Sequence, residues 1–152
     1  MDKFIIEGGN RLCGAVQTQS AKNSVLVLLA ASILTEEQVT IENVPHISDV
    51  LHMSEILQKL GADVCFADGN VTLSSGNAAE RDLSSHLTRE LRSSVFMLGS
   101  VLTRFKHARI SYPGGCDIGL RPIDLHLFGL KKLGVKTEER DGYIVCNAEK
   151  LV

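Results

Sequence analysis

The chain has 152 residues, of which 44% are apolar and 22% are charged, so it carries enough apolar material for one ordinary domain with a buried core. Its 16 Lys and Arg residues oppose 18 Asp and Glu residues, and a net charge of −2 argues against binding nucleic acid by bulk charge. The four cysteines form no Cys-x-x-Cys pair, which argues against a zinc site.

The start of the chain, residues 1–4, does not have the pattern of a secretory signal. The longest apolar run, 25–34, is too short to cross a bilayer and is interrupted by Ser32. We therefore expect a cytoplasmic protein with free thiols, no membrane association and no metal.

Two short strands are predicted at 4–6 and 14–16, with a glycine-rich turn at 8–10 between them. A helix follows, for which Ser20 is a suitable N-cap. Its stretch 25–31 is apolar on every face, which predicts a helix that is buried all round.

A strand at 39–41 leads to a second helix, which begins at 48–49 and ends at Gly61 in the C′ position. Two strands at 62–66 and 70–73 then form a hairpin, because an Asp-Gly dipeptide between them favours a tight turn.

The same order of elements returns after a polar link, at an offset of about 68 to 73 residues. The returning helix, strand, helix and two strands are predicted at 88–102, 108–110, 123–133, 135–137 and 143–145. The chain therefore contains two βαβαββ-like or αβαββ-like units in tandem, at 21–76 and 83–148. Their apolar helices are expected to pack together beneath the sheets, which gives an α/β (α+β) fold that is not doubly wound.

The stretch 112–126 holds three of the 13 glycines and two of the three prolines. Two glycines precede Cys116, and Pro122 after Arg121 favours the first turn of a helix. A helix start and an arginine together favour an anion site, and an electropositive setting activates a thiol. From these residues alone, a reactive thiol beside an anion site and a glycine turn with an inert, buried Cys116 both remain open.

The motif Pro-Gly-Gly-Cys at 113–116, followed by 118–126, resembles the catalytic loop of the UDP-N-acetylglucosamine enolpyruvyl transferases (UDP-N-acetylglucosamine 1-carboxyvinyltransferases). The likeness continues along the chain at 1–4, 21–23, 43–45, 91–94, 128–130 and 133–134. It implies transfer of the enolpyruvyl group of phosphoenolpyruvate to the 3′-hydroxyl of UDP-N-acetylglucosamine, with release of phosphate and without a cofactor. This reaction is the first committed step of peptidoglycan synthesis.

The resemblance also implies roles for individual residues. Cys116 becomes the proton donor and the target of fosfomycin-like epoxides, since a thiol is both an acid and, as thiolate, a nucleophile. Phosphoenolpyruvate is expected at Lys22, Asn23 and Arg121. The residues expected at the UDP-sugar are Arg92, Arg121, Pro122, Ile123, Asp124 and Leu125.

Domains of that family resemble inside-out barrels, with helices in the centre and sheets outside, and each of the two domains contains three such units. Their first residues, about 20 of them, join the second domain, so strands within 1–20 are expected to lack partners here. With a third unit and a second domain absent, one face of the central helices and a strand edge should be uncovered, which favours self-association. The chain alone is expected to be inactive.

Two residues depart from the family pattern: Ser20 stands where glycine is usual, and Asp117 adds a negative charge beside Cys116 that raises a thiol pKa. One alternative is the enolpyruvyl transferase of aromatic amino-acid synthesis, although that family lacks the Pro-Gly-Gly-Cys loop. The other alternative is a non-catalytic interaction module derived from the same fold.

Overall fold

The structure is a computed structural model, and of Arg92 it describes the backbone alone. The residues it describes are 3–79, 82–83, 88, 92–112 and 122–150. The predictions made for Cys116 and Arg121 lie outside these ranges and stay predictions.

The first repeat has two helices and one small sheet. Its elements are α1 (Lys22–Ala31) with a 3₁₀ turn (Ser32–Leu34), β1 (Val39–Ile41), α2 (Ser48–Lys59), β2 (Asp63–Ala67) and β3 (Asn70–Ser74). All pairings are antiparallel in the order β1-β3-β2, so the last strand lies in the middle of the sheet.

The second repeat follows the same plan. Its elements are a 3₁₀ turn (Arg92–Ser94), α3 (Val95–Phe105), β4 (His107–Ser111), α4 (Asp124–Lys132), β5 (Lys136–Arg140) and β6 (Tyr143–Asn147). The sheet order is β4-β6-β5, again antiparallel throughout. The predicted tandem repeat is therefore confirmed in the order α-β-α-β-β.

The turn of each hairpin is an Asp-Gly dipeptide, as the sequence predicts. At Asp68 and Gly69 the φ angles are 50° and 74°, and at Asp141 and Gly142 they are 54° and 78°. Two successive positive φ angles define the type I′ turn, whose twist matches that of the flanking strands. Local turn chemistry thus fixes the register of both strand pairs.

The core lies between the helices and one face of each sheet. Helix α1 packs against α2 and α3. Val71 and Leu73 on β3, and Ile110 and Ile144 on the second sheet, are at most 1% exposed. Their neighbours along each strand are more exposed, except Ser111, which is also buried. The helices are central and the sheets lie outside them, as expected.

Arg104 joins the two repeats. From the last turn of α3, its Nη1 donates hydrogen bonds to the Ile33 carbonyl oxygen at 2.7 Å and to Ser75 Oγ at 2.6 Å. Its Nη2 donates to the Ser75 carbonyl oxygen at 3.0 Å. Because the side chain is only 13% exposed and Ile33 and Ser75 belong to the first repeat, this guanidinium acts as a cross-link between the repeats.

The prediction that α1 is buried all round is wrong. Val25 and Leu29 are buried, but Val27 and Leu28 are 46% and 52% exposed. Other helices cover α1 on only part of its circumference, and apolar composition alone cannot show which face they reach.

Ser20 is not the N-cap of α1. The helix begins after Ala21, whose backbone is extended, and no side chain caps it. The Ser20 hydroxyl instead donates a hydrogen bond to the carbonyl oxygen of Asn43. This bond connects the residues before α1 to the segment after β1.

The strands predicted at 4–6 and 14–16 are also absent: residues 3–20 have neither helix nor strand. Phe4 is 97% exposed, Ile6 86% and Val16 91%. A strand needs a neighbour to pair its backbone groups and cover its apolar face, and this segment has neither.

One face of the central helices is uncovered, as predicted. An open groove of about 450 Å³ runs between α1, α3 and α4, and none of the described residues that line it is Asp, Glu, Lys or Arg. Its exposed apolar side chains are Val27, Leu34, Phe96, Leu125 and Leu133. Among the helices of the described ranges, none is long and apolar enough to span a membrane.

Candidate functional site

Lys22 and Asp49 form an ion pair at the leading ends of two helices. Lys22 is the first residue of α1 and Asp49 lies in the first turn of α2. The distance from Lys22 Nζ to Asp49 Oδ2 is 2.5 Å, with the side chains 48% and 32% exposed. At that exposure the pair contributes only about 0–1 kcal/mol to stability, so its main effect is to hold the ammonium group in place.

The first turn of α1 is a candidate anion site. The first N–H groups of a helix generally lack an intrahelical acceptor, although here the Ser24 N–H donates to the Ala21 carbonyl oxygen at 3.1 Å. The helix dipole adds positive potential at this end. Asn23 follows Lys22 and is also exposed. A phosphate or carboxylate could accept hydrogen bonds from both side chains and from the backbone of this turn.

The leading end of α4 carries the predicted UDP-sugar segment. Ile123 is 3% exposed and its carbonyl oxygen accepts a hydrogen bond from the Leu127 N–H at 3.1 Å, so it anchors the helix start in the core. Pro122 and Asp124 are exposed on either side of this anchor, and Leu125 is 84% exposed in the groove. In this segment the buried Ile123 fixes the helix start, and the exposed residues on both sides of it face solvent.

Residues 111–112 precede the predicted cysteine loop and are held firmly. The Ser111 and Thr88 hydroxyl oxygens lie 2.5 Å apart, and both residues are buried. The Tyr112 hydroxyl donates to Glu139 Oε2 at 2.8 Å. This hydrogen bond raises the pKa of Tyr112, and partial burial and the charges of Glu139 and Asp124 raise it further.

The structure gives the positions of some of the predicted site residues, and the binding role of each stays a prediction. It places Lys22 and Asn23 side by side at the start of α1, and it places the Arg92 backbone in the 3₁₀ turn that leads into α3. Whether Lys22 and Arg121 meet at phosphoenolpyruvate, as the resemblance implies, is a matter that the described residues do not test. Sequence reasoning missed Asp49 as a partner of Lys22, because a first-turn acid is also a common helix-stabilising residue.

Three of the four cysteines lie in described segments. Cys13 and Cys65 are exposed, and Cys146 is buried in β6. Within the described part of the chain, no group of three or more His, Cys, Asp or Glu side chains could hold a metal ion.

Cys146 should make the stability of the chain depend on alkaline pH. Burial raises the pKa of its thiol from 9.0 to about 11, and Lys131 offsets part of that effect. Because the folded chain holds this proton more tightly than the unfolded chain does, its contribution is complete below about pH 9 and is lost as the pH rises to about 11.

Urea unfolding at pH 8 and pH 10.5 checks this expectation. The free energy of unfolding should fall more between these values in the unmodified chain than in Cys146→Ala, which lacks the buried thiol and keeps the other three cysteines. Equal losses in the two proteins would contradict it.

A family sequence model matches most of the chain. The model of EPSP synthase (3-phosphoshikimate 1-carboxyvinyltransferase) matches residues 6–150. The match spans both repeats and both candidate binding segments.

Curated relatives match nearly the whole chain. UDP-N-acetylglucosamine 1-carboxyvinyltransferase 2 of Caldanaerobacter subterraneus subsp. tengcongensis is 48% identical over 99% of this chain and 36% of its own length. UDP-N-acetylglucosamine 1-carboxyvinyltransferase 1 of Clostridium acetobutylicum is 44% identical over 100% of this chain and 37% of its own length. The chain thus spans little more than a third of these relatives, and it matches their N-terminal part.

A solved structure shares the fold. The enolpyruvyl transferase NikO from Streptomyces tendae superposes with a TM-score of 0.79 at 28% identity, covering 95% of this chain and 32% of that one. The two repeats with central helices therefore form part of an enolpyruvyl transferase fold.

Proposed function

Because the chain belongs to the EPSP synthase (3-phosphoshikimate 1-carboxyvinyltransferase) family, we propose that it serves the transfer of an enolpyruvyl group from phosphoenolpyruvate to UDP-N-acetylglucosamine. The acceptor would be the 3′-hydroxyl of the sugar, and inorganic phosphate would leave. The observation that carries this choice of acceptor is the identity of 37–48% with UDP-N-acetylglucosamine 1-carboxyvinyltransferases over nearly the whole chain. The reaction would place the chain in peptidoglycan synthesis in the cytoplasm.

Both substrates are polyanions, so the site needs cations and N–H donors in fixed positions. Lys22 and Asn23, at the first turn of α1, would bind phosphoenolpyruvate together with Arg121. Arg92 and the α4 start, residues 121–125, would bind the UDP-sugar. The exposure of Lys22, Asn23 and Asp124 supports these roles, because a binding residue has to reach solvent.

Cys116 would protonate carbon 3 of the enolpyruvyl group during addition. The attacking 3′-hydroxyl forms the new C–O bond at carbon 2 and gives up its proton, which leaves with the released phosphate. The thiol proton goes to carbon 3, which gives a tetrahedral intermediate. Elimination then breaks the bond to the phosphate oxygen, removes a proton from carbon 3 and restores the double bond. The thiolate left by the first step is positioned to accept that proton, so the site ends as it began.

Reaction of the thiol with a fosfomycin-like epoxide tests this assignment. We expect UDP-N-acetylglucosamine to bind in calorimetry and the epoxide to add to Cys116, as detected by peptide mass spectrometry. Cys13 and Cys65 are internal controls, because both are exposed and neither belongs to the proposed site. Adducts at Cys13 and Cys65 that equal those at Cys116 would contradict the proposal.

Turnover by the chain alone is not expected. It spans 36–37% of the curated relatives' length, and an enzyme of this kind is expected to close its site between two domains. A phosphate-release assay with both substrates checks this point, and measurable turnover would overturn it.

The name of the matching family model favours a second acceptor, 3-phosphoshikimate. Parallel calorimetric titrations with 3-phosphoshikimate and UDP-N-acetylglucosamine separate the two functions. Binding of 3-phosphoshikimate alone would replace the proposed function, and binding of neither would favour a non-catalytic interaction module.

The uncovered groove would also promote self-association of the isolated chain. Val27, Leu34 and Leu133 are 46–51% exposed along it, and contiguous apolar surface of this kind favours contact between molecules. Sedimentation velocity should show association that weakens in a Val27→Lys, Leu34→Lys variant. The control is Leu12→Lys, which changes a 95% exposed residue that does not line the groove.

A further inference from the structure

We propose that Asp49 is an internal counter-ion of Lys22, which pairs with the ammonium group in the free chain and releases it to the anionic group of a ligand. The inference rests on the proposed role of Lys22 in binding phosphoenolpyruvate. It adds a residue to that site, and the observation behind it is the 2.5 Å contact between Lys22 Nζ and Asp49 Oδ2.

The pair is built on two rigid supports. Behind Lys22, Val25 and Leu26 are at most 4% exposed, and behind Asp49, Val50 and Met53 are fully buried. The two helix starts therefore hold a fixed relation to each other, which keeps the backbones of Lys22 and Asp49 within reach of this contact.

A ligand can reach the pair from solvent. The Lys22 and Asp49 side chains are 48% and 32% exposed, and an ammonium group has three donor positions, of which Asp49 occupies one. An incoming phosphate can take the remaining positions and then replace the carboxylate.

The negative charge of Asp49 remains stabilised when Lys22 binds the ligand. It lies in the first turn of α2, where the positive end of the helix dipole favours a carboxylate. The second helix of the other repeat also carries an acid in its first turn, Asp124. The position of the acid thus belongs to the repeated unit, whereas the lysine partner belongs to the start of α1.

If a ligand phosphate replaces Asp49 at Lys22, then Asp49 should hinder the approach of anions to Lys22. The Asp49 carboxylate repels a phosphate that approaches Lys22, and it competes for the same ammonium group. Removing the negative charge while keeping the side-chain shape, as in Asp49→Asn, should therefore increase the access of a phosphate-bearing reagent to Lys22 more than that of a neutral reagent.

Two aldehydes that differ only by a phosphate group test this prediction. Pyridoxal 5′-phosphate and pyridoxal each condense with a lysine amine with loss of water, and borohydride reduces the imine to a stable secondary amine. Peptide mass spectrometry then gives the ratio of phosphorylated to neutral adduct at Lys22. We expect this ratio to rise about 3- to 10-fold in Asp49→Asn.

Glu55→Gln is the matched control, because Glu55 is an exposed acid on the same helix and its replacement makes the same change in net charge. Its ratio should stay at that of the unmodified chain, and circular dichroism should show that all three proteins fold alike. An unchanged or lower ratio in Asp49→Asn would overturn the inference.

Failure of the proposed function gives a different result. Phosphoenolpyruvate would then fail to protect Lys22 from labelling in the unmodified chain, whatever the adduct ratio in Asp49→Asn. The protection experiment therefore tests whether Lys22 binds phosphoenolpyruvate, and the adduct ratio tests whether Asp49 is the counter-ion of Lys22.

Discussion

Replacing Arg104 with methionine is expected to lower the free energy of unfolding by about 2–4 kcal/mol. The side chain is 13% exposed, and the change removes its hydrogen bonds to the Ile33 carbonyl oxygen and to both oxygens of Ser75. Methionine fills similar space, so the loss comes mainly from acceptors that are left without a donor. Urea unfolding followed by circular dichroism measures the difference.

Two further variants isolate the cause. Arg140→Met removes an arginine that is 81% exposed, and its effect should stay within about 0.5 kcal/mol. Arg104→Lys keeps the charge but loses the planar fork of donors, and it should fall between the unmodified chain and Arg104→Met. If Arg104→Met were as stable as Arg140→Met, the two repeats would not depend on this junction.

Gly61→Ala is expected to cost about 2–4 kcal/mol, the second large effect. Gly61 ends α2 with a φ of +99°, which side chains other than glycine rarely adopt. A Cβ atom at this position would also lie 2.7 Å from the carbonyl oxygen of Asn77. The backbone around Asn77 would have to move, although Ala79 N–H donates to the Leu60 carbonyl oxygen at 2.9 Å and holds that segment against the helix end.

Gly69→Ala separates the cost of the backbone conformation from the cost of the steric contact. Gly69 has a φ of +74°, but no atom lies within 4 Å of a Cβ built there. Its replacement should therefore cost only the conformational part, about 1 kcal/mol. Thermal and urea unfolding measure both variants. Equal losses of unfolding free energy in Gly61→Ala and Gly69→Ala would show that the contact with Asn77 costs nothing.

Local signals carried the prediction of the repeat. Helical spacing in α2, the Asp-Gly turns and the glycines after the helices act through neighbours only a few residues away, so a single sequence contains them in full. The internal recurrence of those signals then gave the element order of both units and the helix-inside arrangement. The match to the cysteine loop came from its residue pattern, independently of any coordinates.

The candidate site was predicted only in part. The resemblance implies Lys22 and Asn23 as binding residues; both are exposed at the start of α1, and their binding role stays a prediction. Asp49 was missed as a partner of Lys22 because the two residues are 27 positions apart and meet only when α1 and α2 pack. The Tyr112–Glu139 hydrogen bond was missed for the same reason, since it joins the residue after β4 to β5, 27 positions along the chain.

By itself, then, the sequence determined the tandem units, their turns and the family, because periodicity and turn chemistry are properties of short segments. Tertiary structure decided which face of α1 stays open, why 4–6 and 14–16 form no strands, and which groups Lys22 and Arg104 contact. These outcomes depend on how distant segments pack, since burial and pairing require a neighbour that local patterns cannot supply.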